Sequence, residues 1–297
     1  MSKKRKIIIY ILVVFLAITL IGSIVLNIKL INNKSRNRRS YLENPEQIYI
    51  MESGILKNNL MFKDGKDITF KYDFDNEDYS ELIEKYNISQ IAGEGTEFER
   101  ALRLMDEFAP RLTHSSNYNN RIRIRAIPLL RYSLDNKNNG INCRNKAQIL
   151  NEMYLALSIY SRKVWIMPNS PYDIECHVVN EIWDSTLNKW IMIDITNNQY
   201  WVDENKTPLS IIEIRTNGAL QNFCTPVYPD DDLSDLKKLK EKNMPSFVYI
   251  MKNMMYMEYC TEYGAGEGSV EYLLLPKNSD ISKGTIISEK SVTKSPY

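Results

Sequence analysis

Between Ile7 and Leu26 the chain runs for twenty residues, IIIYILVVFLAITLIGSIVL, without a single charge. As a helix rising about 1.5 Å per residue, such a run is about 30 Å long, the thickness of a bilayer's hydrocarbon core. The segment reads as a membrane span. The competing reading is a cleaved signal peptide, but those apolar cores run about 7 to 15 residues and end at a small-residue cleavage site, and no A-x-A pattern follows here. Lys3, Lys4, Arg5 and Lys6 precede the span, and Lys29, Lys34, Arg36, Arg38 and Arg39 follow it, so charge counting does not settle the orientation. Because the first cluster abuts the span, and large domains cross with little regard to charge, the expectation is a cytoplasmic N-terminus. The chain is then a single-pass protein of the cell membrane with its body extracellular. Residues 1–31 form the basic N-terminus and the transmembrane helix, and residues 32–40 a polar linker.

Beyond residue 40 the body holds 29 of the 38 basic residues against all 37 acidic ones, so it is acidic. It has no basic, aromatic-interleaved stripe, which argues against nucleic acid as a partner. With 43% hydrophobic residues and only 11 Gly and 11 Pro, the composition is that of a folded globular protein. Cys143, Cys176, Cys224 and Cys260 lack the paired spacing of a zinc site. If one of them is a nucleophile, at most one intramolecular disulfide remains for the other three. No metal cluster is visible, and no cofactor is expected.

Residues 41–85 mix short apolar runs with Asp, Asn and Gly and read as a strand-rich extension. Glu97–Phe108, EFERALRLMDEF, places Phe98, Ala101, Leu102, Met105 and Phe108 at helical spacing behind a Thr96/Glu99 capping box. A second helix is expected near Ile122–Tyr132, then a loop at DNKNNG, then a core helix from about Asn145 to Tyr160. Lys163–Met167 reads as a strand, and His177–Trp183 with Trp190–Ile195 as a hairpin. Residues 216–297 read as a C-terminal extension: a charged helix near Leu233–Lys242, capped by Asp230–Asp232, and a strand pair at Phe247–Tyr259 and Val270–Leu275. The glycines from Gly264 to Gly268 do not open a helix after a strand, so they read as a turn and not as a nucleotide loop.

Cys143 stands between the Asn/Gly loop and the start of the core helix, where free N–H groups, the helix dipole and Arg144 favour a thiolate. The chain has only two histidines, His114 and His177. In the hairpin, a turn centred between Ser185 and Thr186 sets His177 opposite Asp194. A register moved by two keeps them diagonal on one face, and a shift of one separates them. A carboxylate beside an imidazole fixes its tautomer, and the imidazole activates a thiol. Taken singly, each residue has a plain structural explanation: a buried small hydrophobe, a strand end, a turn carboxylate.

Together they carry a resemblance. Gly140–Trp201 resembles the transglutaminase-like superfamily of papain-fold enzymes: a Cys opening a helix, a G-I-P-A-R-x-V turn and strand, then H-x-W/V-x-E-V and W-x-x-x-D-x-T. The corresponding residues are Cys143, Ser158–Val164, His177–Ile182 and Trp190–Thr196. The resemblance covers residues 86–215, about 45% of the chain. It implies an α+β papain-like, transglutaminase-like core in which the helix bearing the Cys packs on an antiparallel sheet bearing His and Asp. By the same resemblance Cys143 is the nucleophile, His177 the base and Asp194 the orienting acid. The implied function is attack on an amide carbonyl through a thioester, ending in hydrolysis more readily than in amine transfer. The implied substrates are proteins or peptides, cell-wall components among them; the alternative is a catalytically silent interaction module on the same fold. Ser158 stands where the family usually has Gly, Tyr160 where it often has Pro, and Val179 where it often has Trp. For the oxyanion, the Cys143 backbone N–H is an expected donor; Asn138, Asn139 and Asn142 remain side-chain options that turn formation explains equally well.

Overall fold

The computed structural model describes residues 3–170, 173 and 175–297. It divides into two compact units, Met1–Ile48 and Tyr49–Tyr297. In chain order the helices are α1 Lys3–Glu43, α2 Pro45–Asn58, α3 Glu77–Tyr86, α4 Ile88–Ala92, α5 Glu97–Phe108, α6 Ala126–Asp135, α7 Cys143–Ala156, α8 Ile211–Leu220, α9 Leu236–Lys242, α10 Met244–Lys252 and α11 Glu289–Thr293. The strands are β1 Lys71–Tyr72, β2 Ser161–Met167, β3 His177–Asp184, β4 Lys189–Asp194, β5 Gln199–Asp203, β6 Cys224–Val227, β7 Tyr256–Cys260, β8 Glu262–Tyr263, β9 Val270–Leu274 and β10 Thr285–Ile286.

The first unit is built on α1, whose window Leu12–Lys29 has a mean hydropathy of 2.3 and is long and apolar enough to cross a membrane. The helical backbone continues through 32–40, where the sequence suggested a linker. NNKSRNRRS contains neither Pro nor Gly, so nothing in it stops a helix.

The second unit is mixed α and β. Its eight-stranded sheet runs in the order β10-β9-β7-β2-β3-β4-β5-β6, antiparallel except for the parallel β10–β9 edge. Every residue of β3, and nearly every one of β2 and β4, is buried. Strands covered on both faces do not alternate apolar with polar, which is why VWIM and WIMI read as continuous apolar runs. Helices α5 and α7 pack on this centre. The Thr96/Glu99 capping box forms, and the Tyr154 hydroxyl of α7 donates to the Ala101 carbonyl of α5 at 3.1 Å.

Several expectations need correction. Residues 41–85 are largely helical, with β1 the one short strand among their described residues. Pro45 opens α2 with Glu46 in its first turn, and Asn76 caps α3 by accepting from the Asp78 N–H, two start signals that the strand reading overlooked. Phe247–Tyr259 is not one strand: Pro245 opens α10, and the strand begins only at Tyr256. A short apolar run such as FVYIM fits a buried helix as well as a strand. Asp235, not Asp230–Asp232, caps α9; Asp231 accepts from the Tyr228 amide and Asp232 from Ser234. Residues 216–297 are no appendage either. They supply β6 beside β5, β7 beside β2 and β9 beyond β7, because the open edge of β2 offers a row of unpaired backbone groups.

Candidate active site

The site begins with how Cys143 is held. The backbone before it pairs with the segment carrying His114: Ser115 N donates to Ile141 O at 2.9 Å, and Ile141 N to Thr113 O at 3.0 Å. Gly140 permits this approach, since a Cβ there would lie 2.8 Å from the Ser115 Cβ. Asn142 then caps α7, its Oδ1 accepting from the Asn145 N–H at 3.2 Å, which makes Cys143 the first helical residue. Its own N–H has no carbonyl within the helix to take it. Cys143 as a residue is partly exposed.

The β3–β4 register pairs Trp183 with Trp190 and Asn180 with Ile193, two residues away from the simplest expectation. One step further along, Val179 lies opposite Asp194, so His177 is diagonal to Asp194 on the same face. The side chains meet: His177 Nε2 is 2.9 Å from Asp194 Oδ2, and both residues are almost wholly buried. Asp194 also accepts from the Asn197 side chain at 2.7 Å and from the Thr196 amide at 3.0 Å. Four donors on one carboxylate, counting the Asn197 amide at 3.4 Å, hold it in a single orientation.

The structure brings Cys143 to this pair. Burial pushes the thiol pKa up, but a hydrogen bond and charge interaction with His177, together with the Val178 backbone amide, outweigh it, and the net shift is downward. Burial likewise works against a charged His177, yet Asp194 and the Cys143 sulfur carry its pKa well above the ordinary histidine value. Asp194 is lowered against its own burial by the imidazole and Asn197. All three directions favour thiolate, imidazolium and carboxylate. An ionised Asp194 only accepts, so the proton on its side belongs to His177 Nε2, leaving Nδ1 for the sulfur.

Two of the Asn side chains considered for the oxyanion are occupied, Asn139 Nδ2 donating to Tyr132 O at 2.9 Å and Asn142 capping α7 and bonding Asn120, while Asn138 lies in an exposed turn where its backbone N–H donates to Asn136. The Cys143 backbone N–H is a donor of the expected set that stays available.

Two neighbours were not anticipated. Tyr249 of α10 meets the His177 ring edge-to-face at 5.5 Å, and burial followed by the Cys143 and Asp194 charges raises its pKa. It comes from a segment read as a strand, so no sequence signal placed it here. Lys146 is buried one turn after Cys143. Its spacing was a signal, since residues 143, 146, 147 and 150 share one helix face.

Other motif positions turn out to be scaffold. Arg162 and Glu181 pair directly across β2 and β3, Nε to Oε2 at 2.9 Å, both about 1% exposed. The Gly264–Gly268 segment is a turn, as expected, and it presents Glu267 to Arg144 and to the buried Lys163. Arg144, expected to polarise the thiol, is thus paired with the Glu267 carboxylate. All four cysteines are free, and the described residues hold no group of metal-ligating side chains.

Compared with known proteins, the chain matches no family model, no curated protein and no solved structure.

Proposed function

We propose that the protein is a membrane-anchored cysteine enzyme with a transglutaminase-like, papain-like core, acting on amide bonds of protein or peptide substrates, cell-wall peptides included. The observation that carries this reading is the single imidazole held by Asp194 on one side and presented to Cys143, at the capped start of a helix, on the other. In the proposed reaction the Cys143 thiolate attacks the amide carbonyl, and the Cys143 N–H and the dipole of α7 receive the developing negative charge. The His177 imidazolium protonates the leaving amine. Water, deprotonated by the now neutral His177, then adds to the thioester and releases the acid. Asp194 keeps the imidazole in its tautomer and favours its charged form throughout. Hydrolysis is preferred over amine transfer because water is always present and no amine site is marked.

The test is labelling of the full chain, folded and reduced, with a thiol-reactive amide probe, followed by peptide mapping. Modification of Cys143 that vanishes in His177→Ala is the expected result. Absence of label at Cys143 in the folded protein points instead to a silent interaction module. The apolar α1 is read as an uncleaved anchor, with the body outside the cell. Protease added to intact cells is expected to shave the body away; protection until lysis would reverse the orientation.

A further inference from the structure

Lys146 is about 2% exposed, and a lysine so deeply buried ordinarily donates to a carboxylate or a carbonyl. Lys163, buried to the same degree, does so: it donates to Gln148 Oε1 at 2.7 Å and pairs with Glu267. Among the described residues Lys146 has neither a hydrogen bond nor an ion pair of that kind. It stands one helical turn beyond Cys143, on the face that α7 turns towards the site. Burial pulls its pKa down, and the charges that resist this are Asp194 and Cys143.

The charge balance gives this placement a meaning. A thiolate, an imidazolium and a carboxylate together carry one net negative charge, in a place where His177 and Asp194 are cut off from water. An uncompensated buried charge is costly, and one ammonium brings the cluster to neutrality. The remaining ionisable neighbours do not supply it. His114, at the rim, has its pKa lowered by partial desolvation and then by Lys146 and His177, so it is disfavoured as a cation. Cys176, just before β3, is raised by burial and by Cys143. Tyr249 of α10 is neutral, Arg144 is engaged with Glu267, and Asp173 and Glu175 are engaged with Lys252.

We propose that Lys146 is a positioning residue whose ammonium neutralises the Cys143–His177–Asp194 cluster and thereby sets the pH range over which the thiolate–imidazolium pair exists. The proposal rests on the reading of Cys143 as a nucleophile. Its sign is definite. Removing a positive charge makes the thiolate harder to form, which moves the acid limb of reactivity up. It also makes the imidazolium proton harder to lose, which moves the alkaline limb up as well. A packing defect lowers stability and leaves both limbs in place.

The experiment is alkylation of Cys143 by iodoacetamide in the full chain in detergent, followed by mass spectrometry from about pH 4 to about pH 10, for wild type, Lys146→Met and Lys146→Arg. In Lys146→Met both limbs should rise by about one pH unit, so that alkylation on the acid limb slows about tenfold, while Lys146→Arg stays close to wild type. Unchanged limbs in folded Lys146→Met overturn the proposal. Should Lys146→Met not fold, the 13C shift of the Lys146 Cε in the wild-type chain decides: an ammonium at neutral pH supports the charge role, and a neutral amine overturns it. A wild-type Cys143 that reacts as an ordinary thiol, with no thiolate at low pH, sinks the nucleophile reading itself, an outcome distinct from failure of the Lys146 assignment.

Discussion

The central sheet buries two ion pairs within a few residues of one another on β3, and they are built for opposite ends. Arg162 and Glu181 face each other squarely across β2 and β3. The guanidinium lies 3.9 Å from the Trp190 ring centroid, with Tyr259 and Phe70 also beside it, and donates to the Val292 carbonyl, while Glu181 Oε1 accepts from the Ile211 amide that opens α8. This pair is closed, every neighbour being scaffold. His177 and Asp194 are equally buried, but the second imidazole nitrogen faces the thiol of Cys143, a partly exposed residue at a helix start. A buried ion pair enclosed on all sides fixes geometry; one that keeps a single titratable, reachable partner can move a proton.

The sharpest way to break this contrast is to remove the reachable partner. Under the proposed reaction Cys143→Ala should abolish amide turnover, a loss on the order of 10⁴ or more, with thermal stability nearly unchanged, because no other group would form the thioester. His177→Ala should come close behind, and Asp194→Asn should lose about 10² to 10⁴, since an amide holds the ring but does not stabilise its cation. Retained turnover in Cys143→Ala at unchanged stability would make the open pair as structural as the closed one. The pH profile adds a sign. With the Cys143 pKa depressed and the His177 pKa raised, the pair persists from below the ordinary thiol range to well above the ordinary histidine range. Activity should therefore fall in acid as the thiolate is protonated, and fall in alkali only once His177 deprotonates.

The closed pair should behave in reverse. Glu181→Ala strands a buried guanidinium and should cost about 3 to 5 kcal/mol of stability, read in denaturant melts of the full chain, with the chemistry impaired only as the fold is lost. A folded, stable Glu181→Ala that has lost turnover would move Glu181 into the reaction.

Of the two pairs only the open one was legible in the sequence; that Arg162 and Glu181 stand opposite each other emerged with the β2–β3 register. His177 and Asp194 could be placed together because strand side chains alternate with a period of two and the DSTLN turn centres the hairpin near Ser185–Thr186, so that only an odd shift would have separated them. The two-residue slip left the face unchanged. The capped start of α7 was visible in Asn142-Cys143 beside a long apolar helix. What stayed hidden came from chain far away in sequence. Tyr249 and Glu267 reach the site region because β7 and β9 extend the sheet beyond β2, and nothing local in residues 216–297 announces that pairing. The helical character of α2 and α10 was lost to short apolar runs whose period is ambiguous, with the deciding prolines overlooked.

A third buried group sharpens the comparison by sitting between its two terms. Glu152 of α7 accepts from Gln148 and from the Ala126 and Gly266 amides through Oε1, while its Oε2 has no partner among the described residues. Burial pushes its pKa up from 4.5 to about 7, with those three donors holding it back. The folded state then binds this proton more tightly than the unfolded chain, so stability falls as pH rises through that window, by about 3 kcal/mol in all. Glu152→Gln removes the titration. Its stability should be flat where the wild type declines, measured by denaturant melts at about pH 5 and about pH 7.5. If the wild type is equally flat, the carboxyl is ionised in the fold and Glu152 belongs with the satisfied scaffold.

The smallest effect lies at the far end of α7, where the resemblance and the backbone meet. Ser158 has φ +58°, in the left-handed region. Its N–H bonds Leu155 O, and the Ile159 N–H bonds Tyr154 O, both at 2.9 Å, the paired bonds of a Schellman ending that turns the helix into β2. This is the position where the transglutaminase-like pattern usually has Gly, and the geometry supplies the reason. A Cβ in this conformation costs about 1 kcal/mol, part of which a glycine returns through the greater freedom of its unfolded chain. The Ser158 side chain is exposed and makes no hydrogen bond among the described residues. Ser158→Gly should therefore stabilise the fold by about 0.5 kcal/mol, with turnover and both limbs of the pH profile unmoved, because the turn lies at the opposite end of the 14-residue α7 from Cys143. A loss of stability would mean that the serine hydroxyl holds something in solution. A shift in the pH profile would mean that the end of α7 is coupled to its start, and that the reactive pair leans on its scaffold more than the closed pair beside it does.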